Sequence, residues 1–287
     1  MIRKCVVSFF ALANATARSA SAAPFIPKSH ATLHALKLRG GGGPIEADTA
    51  AKILGGVALA NGSVFGLSDK LCAKAYGLNE DELSTTDARC VTNHNLSILS
   101  AGVIIYCLLF RDDISFNLAM GLGNLPWAMR SLGDLLNKVS ETSGPSDLGS
   151  MVTLAFCGLA SYAGLTSADW AGSAFKAAAV YGVVCGLTIL LAPAQASELW
   201  ELKDTTWMTN GMVSGVGFSL AGLGAFLAFL AWGDDIVTAC GKKAAVDALC
   251  LVKVLFFDPD WAKVVVKKEP VYGWLVFFAF VAYSILA

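Results

Sequence analysis

The sequence predicts an all-α polytopic membrane protein of about eight transmembrane helices, set out as two parallel four-helix repeats. Hydrophobic residues make up 55% of the 287-residue chain, charged residues only 15%, and mean hydropathy is +0.60. Soluble domains carry roughly 25% charge, so this chain has too little to cover a water-facing surface. The apolar residues also gather into runs close to the ~20 residues that cross a bilayer. Those runs then fall into two sets of four with the same punctuation.

The first element is a leader. Residues 1–45 hold no Asp or Glu but six basic residues, Arg3, Lys4, Arg18, Lys28, Lys37 and Arg39. The remainder holds 15 basic residues against 22 acidic ones, with no basic stripe for nucleic acid. A basic start at 1–4 precedes an apolar run at 5–13, broken only by Ser8, and then Ala20-Ser21-Ala22-Ala23. That order is the n-region, h-region and small-residue cleavage site of a signal peptide over 1–23. Residues 24–45 are basic, bear Ser and Thr up to Arg39, and close on a Gly run, as a transit peptide or linker would. Ala20-Ser21-Ala22-Ala23-Pro24-Phe25-Ile26-Pro27 resembles the bipartite plastid presequences of diatoms and related heterokont algae. The resemblance implies a plastid membrane; an ordinary secretory leader would imply the secretory pathway or an endomembrane.

Eight apolar segments follow, at 49–67, 94–110, 114–136, 148–165, 174–191, 209–232, 236–257 and 271–287. The first is interrupted by Asn61 and Ser63, and the seventh carries enough charge to lie on the bilayer surface instead. Trp170, Trp200, Trp207, Trp232, Trp261 and Trp274 fall near segment ends, where indole favours the headgroup level. Trp127 is the exception. Eight crossings put ten Lys and Arg on the side holding Arg89, Arg130 and Lys203, against five on the other. The richer side is then the cis side.

The division into units runs 46–166 and 167–287. Second and third segments meet in a tight acidic turn in both, Asp112-Asp113 and Asp234-Asp235. Thr92-Asn93 and Thr209-Asn210, Gly56-Val57 and Gly182-Val183, and Ala155-Phe156 and Ala279-Phe280 repeat at similar spacing. Four segments per unit make the units parallel rather than inverted. This outline resembles the DoxX-like group of small four-helix membrane proteins, in tandem. The resemblance implies a helical bundle and, through some relatives, quinone-linked oxidation; it carries no site residues.

Ionisable side chains inside a bilayer are costly and mark function. Asp247 lies midway along its segment, with Lys243 one turn earlier on the same face. Asn124 and Arg130 occupy the matching positions to Asp247 and Lys253. Asp247, Asn124 and Lys243 form a candidate polar intramembrane site, or a plain interhelical hydrogen bond. Arg130, Asp134 and Lys253 are a candidate ion pair or gate. Asp112, Asp113, Asp234 and Asp235 read as helix caps or as cation-attracting turns. Gly182, Gly186, Gly211 and Gly215 offer close helix packing. Cys72 and Cys90 could pair in an oxidising compartment, or remain thiols.

No catalytic constellation, metal-ligand set or cofactor motif is present; His94 is the only His outside the leader. The expected role is therefore non-enzymatic: a structural, assembly or accessory protein of a plastid membrane. Its partners would be the lipid bilayer and other membrane proteins, not nucleic acid. The alternatives are a small-solute or ion transporter using the polar faces of the third helices, and a membrane anchor of quinone-linked redox chemistry.

Overall fold

A computed structural model describes residues 43–287 apart from 79 and 266. The 1–23 leader and all but the last three residues of 24–45 lie outside the described residues. Within them the chain is all-helical. Its helices are α1 (Ala47–Leu67), α2 (Asp69–Ala75), α3 (Thr85–Phe110), α4 (Phe116–Leu136), α5 (Asp147–Leu165), α6 (Ala171–Leu191), α7 (Pro193–Leu199), α8 (Thr209–Ala231), α9 (Ile236–Phe257), α10 (Pro259–Val264) and α11 (Glu269–Leu286).

Each of the eight apolar segments lies within or on one long helix. Only five are long and apolar enough to cross a membrane: α3, α5, α6, α8 and α11. The segment of α1 reaches that standard only together with α2, across a bend of 115°. The third helix of each set, α4 and α9, falls short because it is polar on one side. That side faces inward: Asn124, Asp134, Lys243 and Asp247 are buried. The large apolar residues Met129, Leu136, Leu249 and Phe257 are exposed. This inverts the pattern of a water-soluble helix and suits a surround of lipid. α9 packs on α1, α8 and α11.

Local chemistry explains the helix ends. Ser84 and Asp87 form a capping box at the start of α3, worth ~1 kcal/mol. Ser115, not Asp112 or Asp113, caps α4, because the helix begins three residues beyond the acidic pair. Asp235 does cap α9, accepting from Val237 and Thr238 N–H at 3.0 Å each. Asp113 pairs instead with Arg111, which holds its carboxyl below the usual range, and Asp234 pairs with Lys242 at 2.8 Å. Pro193 and Pro259 open α7 and α10, where a missing N–H costs nothing.

The parallel helices α3 and α8 form the centre. Asp87 accepts from Thr206 Oγ1 at 2.7 Å and Thr209 Oγ1 at 2.8 Å, which sets their N-termini side by side. Further along, His94 Nδ1 meets Gly215 O at 2.8 Å. Around them, α1 packs on α3 and α6 on α8; α5 packs on α4 and α11 on α9. The ring closes through α5 against α6 and α11 against α1. Three backbone bonds tie it at one end, Ser146 N–H to Trp200 O at 2.9 Å, Lys203 N–H to Ser143 O at 3.2 Å and Lys267 N–H to Tyr76 O at 3.2 Å.

The glycine pattern serves this packing. A Cβ on Gly186 would stand 2.2 Å from the Ala221 nitrogen, and one on Gly182 would stand 2.9 Å from Gly224. Gly211 lies as close to Asp260 and Trp261, whereas Gly215 keeps 3.9 Å from Trp261. All four glycines therefore face neighbours within the molecule.

Candidate functional site

Two cavities flank the central pair. The first, about 120 Å³, lies between α1, α2, α3, α8, α9, α10 and α11. The second, about 70 Å³, lies between α3, α4, α5, α6 and α8. The polar faces of the third helices line them, α9 the first and α4 the second.

In the first cavity, Lys243 Nζ donates to Asp247 Oδ2. Both residues are buried, at 7% and 2% exposure, so an isolated charge on either would be costly. Asp247 fits because Gly222 on α8 lacks a side chain; a Cβ there would lie 1.9 Å from Asp247 Oδ1. The Lys243 ammonium sits 6.0 Å from the centre of the Phe278 ring, a geometry that favours a cation. His94 faces the same space. Gly215 O can only accept, so His94 Nδ1 carries the proton and donates. In the neutral ring that leaves Nε2 as an acceptor with no partner among the described residues. Tyr76, Phe218, Trp261, Trp274 and Phe277 complete the wall, and Trp274 Nε1 donates to Tyr76 Oη at 3.1 Å.

The second cavity is built differently. Arg89 from α3 donates to Asp134, and Arg130 lies 3.6 Å from the same carboxylate oxygen. Asn124 lines the cavity but donates to Met120 O on its own helix at 2.9 Å. Thr153 Oγ1 and Tyr181 Oη are 2.5 Å apart on the far wall. Trp127, anomalous as a mid-segment indole, is buried and lines this cavity.

The sequence-derived site residues therefore separate. Lys243 and Asp247 share one cavity, whereas Asn124 lies in the other with Arg130 and Asp134. Lys253 lines neither; it donates to Asp258 Oδ2 at 2.9 Å, beyond the end of α9. Burial opposes ionisation of Asp258, but bonds from Ser214, Trp261 N–H and Lys253 outweigh it and hold its carboxyl below the usual carboxylate range. Asp112, Asp113, Asp234 and Asp235 line neither cavity, which gives the acidic turns no part in either site. Cys72 and Cys90 are both free thiols on helices, against the first cavity.

Three residues escaped the sequence reading. His94 and Arg89 acquire their roles from partners more than 40 positions away, Gly215 and Asp134. Trp274, assigned to the membrane interface, turns inward, as do Trp200 and Trp261, while Trp170, Trp207 and Trp232 are exposed. Among the described residues no His, Cys, Asp and Glu group could hold a metal ion. Comparison with protein-family models, curated proteins and solved structures finds no match. The DoxX-like resemblance accordingly rests on helix order alone.

Proposed function

We propose that the protein is a non-enzymatic membrane protein that holds a small lipophilic, ring-bearing molecule in the cavity of Lys243, Asp247 and His94. One observation carries this reading: a buried ion pair and an unpartnered imidazole nitrogen face one aromatic-lined space. A wall of aromatic rings favours a flat apolar body. His94 Nε2 would accept a hydroxyl proton, and the Lys243 ammonium would donate to a carbonyl or phenol oxygen. A quinol or related phenol has that pattern, in line with the quinone-linked reading of the sequence. The glycine faces that could have held a partner subunit lie against other helices of the same chain, which weakens the accessory role. The leader supports a plastid membrane as the location.

The helix order supports an internal duplication. α1, α2, α3, α4 and α5 correspond to α6, α7, α8, α9 and α11. Leu54, Val57, Ala58, Asn61, Tyr76 and Leu78 line the first cavity; Ala178, Tyr181, Gly182, Cys185, Trp200 and Leu202, each 124 positions later, line the second. That spacing pairs Gly182 with Ala58 rather than with Gly56. The two cavities are then sister sites of parallel repeats.

The test is purification of the C-terminally tagged protein from its own membranes in mild detergent. Solvent extraction, absorbance and mass spectrometry would identify small molecules that travel with it. The expected result is one lipophilic ring compound near 1:1, lost in His94→Phe. Stoichiometric partner proteins without such a compound would restore the accessory role and end this one.

A further inference from the structure

The second cavity carries an inference that does not depend on the first. Its ionised groups do not balance: Arg89 and Arg130 face a single carboxylate, Asp134. Asp87, two residues before Arg89, is held by the hydroxyls of Ser84, Thr206 and Thr209, at the N-terminal ends of two helices. Lys203 donates to Ser140 O and does not line the cavity. Among the residues that line the cavity, two guanidiniums face one carboxylate.

The donors are also unmatched. Arg89 Nε, Arg130 Nε and Trp127 Nε1 are all shielded from solvent and have no hydrogen-bond partner. Trp127 is only 9% exposed. Against these three donors stands one unpartnered acceptor in the cavity, Asn93 Oδ1. Buried polar groups without partners are rare in native proteins and call for an explanation. The remaining wall includes Val216, Leu220, Leu223 and Leu227, which are apolar. Arg89 stands in the second turn of α3 and Arg130 in the last two turns of α4, so the charge lies toward one end of the bundle.

We propose that this cavity binds the singly charged oxyanion headgroup of an amphiphile whose apolar body lies along α8. The guanidiniums would take the oxyanion in charge-assisted hydrogen bonds, Trp127 Nε1 would add a neutral one, and the leucines would face the hydrocarbon. A fatty-acid carboxylate and the phosphodiester of an anionic phospholipid share this chemistry.

The full-length protein, delipidated in a neutral detergent, would be titrated with dodecanoate, with dodecanol, and with nanodiscs of phosphatidylglycerol or phosphatidylcholine. Binding would be read by calorimetry or by native mass spectrometry. Dodecanoate binding with at least ten-fold preference over dodecanol assigns the carboxylate source. A preference for phosphatidylglycerol over phosphatidylcholine assigns the phospholipid source. In either case Arg130→Gln should weaken binding at least ten-fold. Trp127→Phe, which keeps the ring and removes only the N–H, should weaken it several-fold. Thermal unfolding in detergent confirms that each variant is folded. Equal binding of dodecanoate and dodecanol together with no phospholipid preference would overturn the proposal. So would unchanged affinity in both folded variants.

Discussion

The cavity beside α9 and the cavity beside α4 lie on either side of the central helix pair, yet their charges are arranged in opposite ways. Beside α9, Lys243 and Asp247 satisfy each other within one helix, and His94 bonds Gly215 O through Nδ1 and turns Nε2 away from it. Beside α4, the carboxylate of Asp134 is shared by arginines from two helices, and the leftover atoms are mostly donors. Aromatic side chains fill the wall at Trp274 and Phe277; the positions 124 residues earlier are Ser150 and Thr153. The first cavity thus holds a buried ion pair among aromatic rings, and the second holds two arginines on one carboxylate among aliphatic side chains.

The sharpest way to break this comparison is to remove one charge from each cavity. Asp247→Ala leaves Lys243 buried and alone, a loss of about 3–5 kcal/mol. Arg130→Met leaves Asp134 still paired with Arg89 and should cost no more than ~1–2 kcal/mol. Thermal unfolding in one detergent would rank them; equal losses would show that the pairs are not differently organised. The double variant Lys243→Met with Asp247→Leu should recover most of the stability, because apolar replacements of buried pairs are often neutral. It should still lose the bound ring compound.

A smaller effect tests how the first cavity is shaped. Gly222→Ala would place a methyl 1.9 Å from Asp247 Oδ1, and overpacking of this kind costs about 1–3 kcal/mol. Gly133→Ala on α4 meets nothing within 4 Å and should stabilise by up to ~1 kcal/mol through helix propensity. A destabilised Gly222→Ala beside a stabilised Gly133→Ala, in the same unfolding assay, is the expected pair of results.

The smallest effect compares the two halves at one backbone position. α2 and α7 end in the same way, with a left-handed residue at Gly77 (φ 74°) and at Glu201 (φ 54°). The N–H of the next residue then bonds back to Ala73 O or Ser197 O. Glu201 has a Cβ in a conformation that favours glycine, so Glu201→Gly should raise stability by about 1 kcal/mol. No gain in unfolding temperature would show that the two turns are not equivalent.

Much of this was legible in the chain before any packing was known. The apolar runs located the eight long helices, because a helix needs only its own backbone hydrogen bonds and a run of apolar side chains. The boundary of α3 was misjudged by nine residues, since 85–93 is polar and apolar counting passes over it. Those residues are held by a capping box and by the hydroxyls of Thr206 and Thr209, which no local window contains. Lys243 and Asp247 were legible as a pair for the opposite reason: they lie one turn apart on one helix.

Composition and periodicity by themselves determined the helical class, the membrane character and the polar inner faces of the third helices. These depend on each residue's own preference for lipid, water or helix. Tertiary structure alone decided that Asn124 and Asp247 lie in separate cavities, that Arg89 joins Arg130, and that His94 presents a lone pair beside an ion pair. Each of those facts needs two helices to meet, and a contact between residues 45 or 121 positions apart leaves no periodic trace in the sequence.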